Sequence, residues 1–155
     1  MLRASVIIST LARPWFIKAC LDTILQNELK PYEIIVVDQS EGNETEKIIR
    51  SIRPRYPALV YLRDEGKGAS RAKNIAIKQS NSDLLAFTDD DCLSSPKWLL
   101  NASSQFEEKT ELACLVGRVV RGRSLADITE KATKEIWEIY GKADPWRLGP
   151  SGGNL

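Results

Sequence analysis

The sequence predicts an α/β fold with a mainly parallel central sheet and helices on both faces. Three observations carry that expectation. Short apolar runs recur at 6–8, 34–37, 59–62, 84–88 and 112–116, and their continuity suits strands buried on both faces. Amphipathic helical stripes separate them, the alternation that gives a parallel sheet. Polar residues follow three of the runs directly: Ser9-Thr10, Asp38-Gln39-Ser40 and Asp89-Asp90-Asp91. Open α/β sheets bind ligands beyond the carboxyl ends of their strands, so these three sites are expected to converge on one edge.

Each element has a local reason. After the first strand, Ile17, Cys20, Leu21, Ile24 and Glu28 fall on a helical spacing, and Lys30-Pro31 ends it. The run 34–37 is β-branched throughout, as a strand prefers. Asn43 is placed to cap a second helix carrying Ile48, Ile49 and Ile52, which stops before Pro54. A third helix over 70–79 turns Ala72, Ile75 and Ala76 inward. Pro96 opens a fourth, with Trp98, Ala102 and Phe106 as its stripe. A last amphipathic helix is expected to place Ile128, Ala132, Ile136 and Ile139 on one face.

Composition narrows the function. At 155 residues the chain suits one domain with a real core. With 43% hydrophobic and 28% charged residues it has the mix of a globular protein. A net charge of +1 gives no electrostatic footprint for nucleic acid. No segment approaches the ~20 apolar residues of a membrane span, and the opening residues resemble a first strand more than a signal peptide. Cys20, Cys92 and Cys114 have neither disulfide nor zinc spacing, so a reducing, cytoplasmic location is expected. The absence of histidine excludes histidine-based triads.

The aspartate triplet carries the most chemistry. Three adjacent carboxylates repel one another, and a hard cation such as Mg²⁺ or Mn²⁺ relieves that repulsion through oxygen ligands. Magnesium commonly takes one or two carboxylates and completes its shell with water and phosphates. The competing reading is an acidic loop capping the next helix. Asp38 or Gln39 could pair with a nucleobase edge, and Asp38 could equally shape a turn. Around Gly66-Lys67-Gly68, a glycine loop and the cations Lys67, Arg71 and Lys73 meet a helix start suited to a diphosphate; the alternative is a solvated basic turn. Neither a P-loop nor a G-x-G-x-x-G fingerprint occurs. Trp15, Trp98, Trp137 and Trp146 are expected to supply core and edge packing, with Trp146 the best placed for stacking on a sugar.

These motifs, in this order, resemble inverting family 2 glycosyltransferases of the GT-A fold. Ser5-Val6-Ile7-Ile8-Ser9-Thr10 with Arg13, and then Glu33 to Asp38, are similar to that family's opening. Gly68-Ala69-Ser70-Arg71-Ala72-Lys73-Asn74 resembles its G-x-S-x-A-R-N segment, and Phe87 to Cys92 its D-x-D signature. Gly152-Gly153-Asn154 resembles the start of its acceptor-side loop. The resemblance implies transfer of a sugar from a nucleotide-diphosphate donor to a saccharide or lipid-linked acceptor. It implies Asp91 as the main ligand of Mg²⁺ or Mn²⁺, with Asp89 or Asp90 at the ribose or the metal's water shell. Ser9, Leu11 and Gln39 would border the nucleobase, Thr10 and Asp38 would belong to the same donor site, and Lys73 would stand near the diphosphate.

Departures from the family pattern are Leu11 for an aromatic, Ala12 for Asn, Gln39 for Asp and Lys73 for Arg. The family's general base lies in an acidic motif beyond the acceptor loop. The expectation is therefore one nucleotide-sugar-binding domain over 1–155, incomplete at its C-terminus and lacking that base. Glu130, Glu135 and Glu138 are expected to be solvated helix residues. The competing function is a non-catalytic nucleotide-sugar-binding or partner-binding module. A cytoplasmic site, peripheral to the inner membrane face, would suit a lipid-linked acceptor.

Overall fold

The computed structural model of the chain describes residues 1–117, 119 and 138–141. It divides into two compact units, Met1–Ser103 and Ser104–Leu155. The first unit alternates β1 (Ala4–Thr10), α1 (Pro14–Ile24), β2 (Glu33–Asp38), α2 (Glu44–Ile52), β3 (Leu59–Arg63), α3 (Ala69–Gln79) and β4 (Leu84–Asp89). Helix α4 (Trp98–Glu108) follows, then β5 (Leu112–Val116) and β6 (Glu138–Gly141).

The four strands of the first unit are parallel, in the order β3-β2-β1-β4. The chain winds outward from β1 to β3 and then returns to the other side of β1. Strand order therefore reverses between β1 and β4, and the crevice beyond their carboxyl ends is the expected ligand position. Register brings the polar ends together, with Thr10 opposite Asp38 and Ser9 opposite Asp89.

Two cores lie on opposite faces of the sheet. On one, Val6, Ile8, Ile34 and Val36 pack with Ile17, Cys20, Leu21 and Ile24 of α1, Ile49 and Ile52 of α2, and Leu99. On the other, Ile7, Ile35 and Val37 pack against Ala72 and Ala76 of α3. The small alanines let that helix approach the sheet closely. Burying a Val, Leu or Ile side chain contributes about 1.5–3 kcal/mol, so these runs carry most of the folding drive. Strand β4 departs from the expected full burial. Leu84, Ala86 and Thr88 turn inward, while Leu85 and Phe87 face solvent.

Several boundaries differ from expectation. Helix α1 begins at Pro14, where the missing N–H costs nothing, and ends at Ile24, before Glu28. There Asn27 takes over: its amide donates to the Thr23 carbonyl and Ser94 Oγ, and its Oδ1 accepts from the Leu99 N–H. Asn43 stands at the N-cap position of α2 but makes no side-chain cap bond. Glu44 and Glu46 in the first turn complement the helix dipole there instead. Trp98 packs on the core as expected, whereas Trp15 is 82% exposed. Trp15 lies outside the Ile17, Cys20, Leu21, Ile24 stripe, so helix geometry turns it to solvent.

In the second unit β5 pairs antiparallel with β6, not with the parallel sheet. Glu138 and Ile139, expected on a helix, lie in β6. Ile128, Ala132, Ile136, Glu130, Glu135, Trp137 and Trp146 lie outside the described residues.

Candidate functional site

At the junction of β1 and β4 the three aspartates divide into two kinds. Asp90 points back into the fold. Its Oδ2 accepts from Thr10 Oγ1 at 2.7 Å, and its Oδ1 lies 3.3 Å from Arg13 Nη1. Burial pushes the Asp90 carboxyl above its usual range, and the Thr10 bond and the Arg13 charge partly oppose that. Its two neighbours face outward, Asp89 as the last residue of β4 and Asp91 in the turn that follows, with side chains 66% and 47% exposed. Asp91 Oδ2 is 3.2 Å from the same Arg13 nitrogen, and Asp89 Oδ1 is 3.4 Å from Lys73 Nζ on α3.

The turn beneath is held through the Asp89 carbonyl, which accepts from the Cys92 N–H at 3.2 Å and the Cys20 thiol at 3.5 Å. Burial, then the nearby Cys92 and Asp90, push the Cys20 thiol up to about 12. It stays protonated, and acts as a packing and hydrogen-bonding group, not a nucleophile.

At the junction of β2 and β3 the carboxylates are consumed by the scaffold. Asp38 is fully buried, and accepts from the Ser40 N–H, the Ser40 hydroxyl and Tyr61 OH. Burial first, and then Asp38 beside it, push the Tyr61 hydroxyl up to about 12. Ser40 Oγ in turn accepts from the Ala12 N–H at 2.7 Å. Ala12 has φ of 55°, the left-handed region that an L-residue enters at a cost. The relay from Asp38 through Ser40 holds it there.

Gln39 is also engaged. Its Nε2 donates to Asp64 Oδ2 at 2.8 Å, and its Oε1 accepts from the Gly68 N–H at 3.0 Å. Asp64 further accepts from both Nε and Nη2 of Arg71, and from the Gly66 N–H. The Arg71 bonds, and then the Gln39 bond, lower its carboxyl to about 2. Gly68, with φ of 113°, lets the chain turn from this clasp into α3.

Between these regions runs a cleft of 420 Å³ lined by Leu11, Ala12, Pro14, Gln39, Ser40, Glu41, Gly42, Glu44, Thr45 and Lys67. It brings together Leu11 and Gln39, both expected at the nucleobase. Ser9, Thr10, Asp38, Lys73 and the aspartates lie outside its lining. Gly152, Gly153 and Asn154, expected on the acceptor side, lie outside the described residues.

Whether the aspartates suit a divalent cation is a question of donors. Among the described residues no three His, Cys, Asp or Glu side chains form a preformed cage. Two solvent-facing carboxylates with oxygen-only donors do fit Mg²⁺ or Mn²⁺ in its usual partial shell, completed by water and phosphate. Sequence reasoning did not single out Asp64, and it expected Arg71 beside a diphosphate, whereas the fold pairs Arg71 with Asp64. Asp64 follows β3 as Asp38 follows β2, so the strand-end signal was present there too.

Relatives match this chain over part of their length. Glycosyltransferase AglE of Haloferax volcanii is 34% identical over 98 residues, covering 61% of this chain and 32% of AglE. The poly(ribitol-phosphate) beta-N-acetylglucosaminyltransferase TarS of Staphylococcus aureus is 23% identical over 155 residues, 97% of this chain and 27% of TarS. The chain thus spans about a third or less of these two relatives. Among solved structures, the mannosyltransferase PcManGT from Pyrobaculum calidifontis, in complex with GDP-Man and Mn²⁺, superposes with a TM-score of 0.67 at 26% identity. That match covers 77% of this chain and 36% of PcManGT. The parallel sheet with its helices is therefore a GT-A fold. With residues 5–150 matched by the sequence model of glycosyl transferase family 2, the chain belongs to that family.

Proposed function

We propose that this chain forms a nucleotide-sugar-binding domain serving metal-dependent transfer of a sugar from a nucleotide-diphosphate donor to an acceptor hydroxyl. The carrying observation is the split of the aspartate triplet, with Asp90 anchored on Thr10 and Arg13 while Asp89 and Asp91 face solvent at the reversal of strand order. Family membership and the GDP-Man and Mn²⁺ complex of PcManGT support it.

In this reading Asp91 is the main ligand of Mg²⁺ or Mn²⁺, and Asp89 is a second ligand or contacts the ribose. The bound cation would act as a Lewis acid, offsetting charge on the departing nucleoside diphosphate. Asp90 positions its neighbours through Thr10. Lys73 is 3.4 Å from Asp89 and near enough to meet a diphosphate oxygen. The cleft beside Leu11 takes the nucleobase, and Ser9, outside the cleft lining, is proposed as a further neighbour of the base. Asp38 and Gln39 act on that cleft by fixing its walls, since their polar atoms are engaged. Gly152, Gly153 and Asn154 belong to the acceptor side, which takes a saccharide or a lipid-linked sugar. No helix among the described residues is long and apolar enough to cross a membrane, and the proposed setting is the cytoplasm, at the inner membrane face where the acceptor is lipid-linked.

Calorimetric titration with GDP-mannose and UDP-GlcNAc, with and without Mn²⁺, tests this. Binding should require Mn²⁺ and be lost in Asp91→Ala. The absence of binding to any nucleotide sugar in the presence of Mn²⁺ would overturn the donor-site assignment.

A further inference from the structure

Arg13 occupies an uncomfortable position. It is the N-cap residue of α1, yet makes no cap bond, and the first turn of that helix has no acidic residue. A cation there opposes the helix dipole. Its position is therefore held by the aspartates, through Nη1 at 3.3 Å from Asp90 and 3.2 Å from Asp91. Asp90, nearly enclosed, needs that partner, because an unpaired buried charge is costly. Asp91, half in solvent, does not. On the other flank Lys73 lies 3.4 Å from Asp89. Both carboxylates available to a divalent cation thus already carry a cation of the protein's own.

We infer that Arg13 and Lys73 act as a charge filter that admits a divalent cation together with a diphosphate and disfavours the bare ion. The inference rests on the proposed metal site at Asp89 and Asp91. A bare divalent ion arriving at Asp91 must displace Arg13 or bind beside it, and at a separation near 4 Å two positive charges repel appreciably even in water. A metal–diphosphate complex is neutral or anionic, so the same two cations attract it. Metal therefore enters with the donor and not before it, and the two side chains contribute binding order in addition to charge.

Mn²⁺ binding to the full chain, followed by the electron paramagnetic resonance signal of the free ion, separates the possibilities. The wild type should bind MnCl₂ alone weakly and tighten when UDP or GDP is added. Arg13→Met should bind Mn²⁺ alone about fivefold tighter, as should Lys73→Met, with the gains roughly additive in the double variant. The double variant should also lose most of the tightening that UDP or GDP produces. Arg13→Lys, which keeps the charge, should match the wild type and remains informative if the methionine variant folds poorly. Equal or weaker Mn²⁺ binding in Arg13→Met and Lys73→Met would overturn the filter while leaving the metal site in place. Unchanged Mn²⁺ binding in Asp91→Asn would overturn the metal site itself, and the filter with it.

Discussion

At the ends of β2 and β3, Asp38 and Asp64 are spent on the scaffold; at the end of β4, Asp89 and Asp91 are left in solvent. All four are aspartates at carboxyl ends of parallel strands, or one or two residues past them. Their surroundings differ. Asp38 is fully buried with donors from Ser40 and Tyr61, and Asp64 is clasped by Arg71, Gln39 and Gly66. Asp89 and Asp91 each face one cationic side chain, Lys73 at 3.4 Å and Arg13 at 3.2 Å. An acid whose oxygens are filled by the fold builds a wall, whereas one that faces solvent beside a single cation can take a ligand.

Asp38→Ala should break the comparison hardest. It strips the partners from the Ser40 N–H and Tyr61 OH inside the fold, and frees Ser40 from the relay that holds Ala12. Hydrogen bonds to a charged group contribute about 1.5–3 kcal/mol each, so a loss of about 3 kcal/mol in urea unfolding is expected. A loss below about 1 kcal/mol would show that Asp38 is not structural.

Asp64 sharpens the same point through pH. Its folded carboxyl, lowered to about 2, lies below the ordinary unfolded value. The ionised form is thus favoured by folding, and its contribution is complete above pH ~4. It is lost as pH falls from there towards about 2. Urea midpoints of the wild type should fall through that window more steeply than those of Asp64→Asn. Parallel profiles would mean that the Arg71 clasp contributes nothing to the fold.

A smaller, opposite effect is expected at Ala12. Its φ of 55° suits glycine, so Ala12→Gly should stabilise the chain by about 0.5–1 kcal/mol, the strain relieved less the extra freedom of the unfolded chain. A thermal melt that moves downward would place the cost elsewhere.

These differences set what could be read from sequence. The strand ends were legible because continuous apolar runs stop at polar residues, and that rule located Asp38 and Asp89 alike. Which aspartate would be walled in was not legible. Asp38 takes two donors from nearby Ser40 but the third from Tyr61 on a neighbouring strand, and Asp64 takes its side-chain donors from Arg71 and Gln39; the Tyr61 and Gln39 contacts exist only once β2 and β3 are in register. Gln39 looked like a base-reading residue at a departure from the family pattern; in the fold its amide ties two loops together. The run 112–116 announced a strand but not its partner, since apolar continuity is silent on whether β5 joins a parallel sheet or an antiparallel pair.

The smallest effect on stability should come from the residue with the largest proposed effect on binding. Asp91 is half exposed and its ion pair with Arg13 is of the surface kind, which contributes about 0–1 kcal/mol. Asp91→Asn should therefore leave the urea midpoint within experimental scatter of the wild type, while removing the metal dependence of nucleotide-sugar binding. Asp38→Ala should show the reverse pattern under the same two assays, losing stability first and binding only as the cleft walls loosen. If Asp91→Asn were as destabilising as Asp38→Ala, the solvent-facing aspartates would be scaffold too, and the distinction between wall and ligand would fail at the residue on which the proposed function depends most.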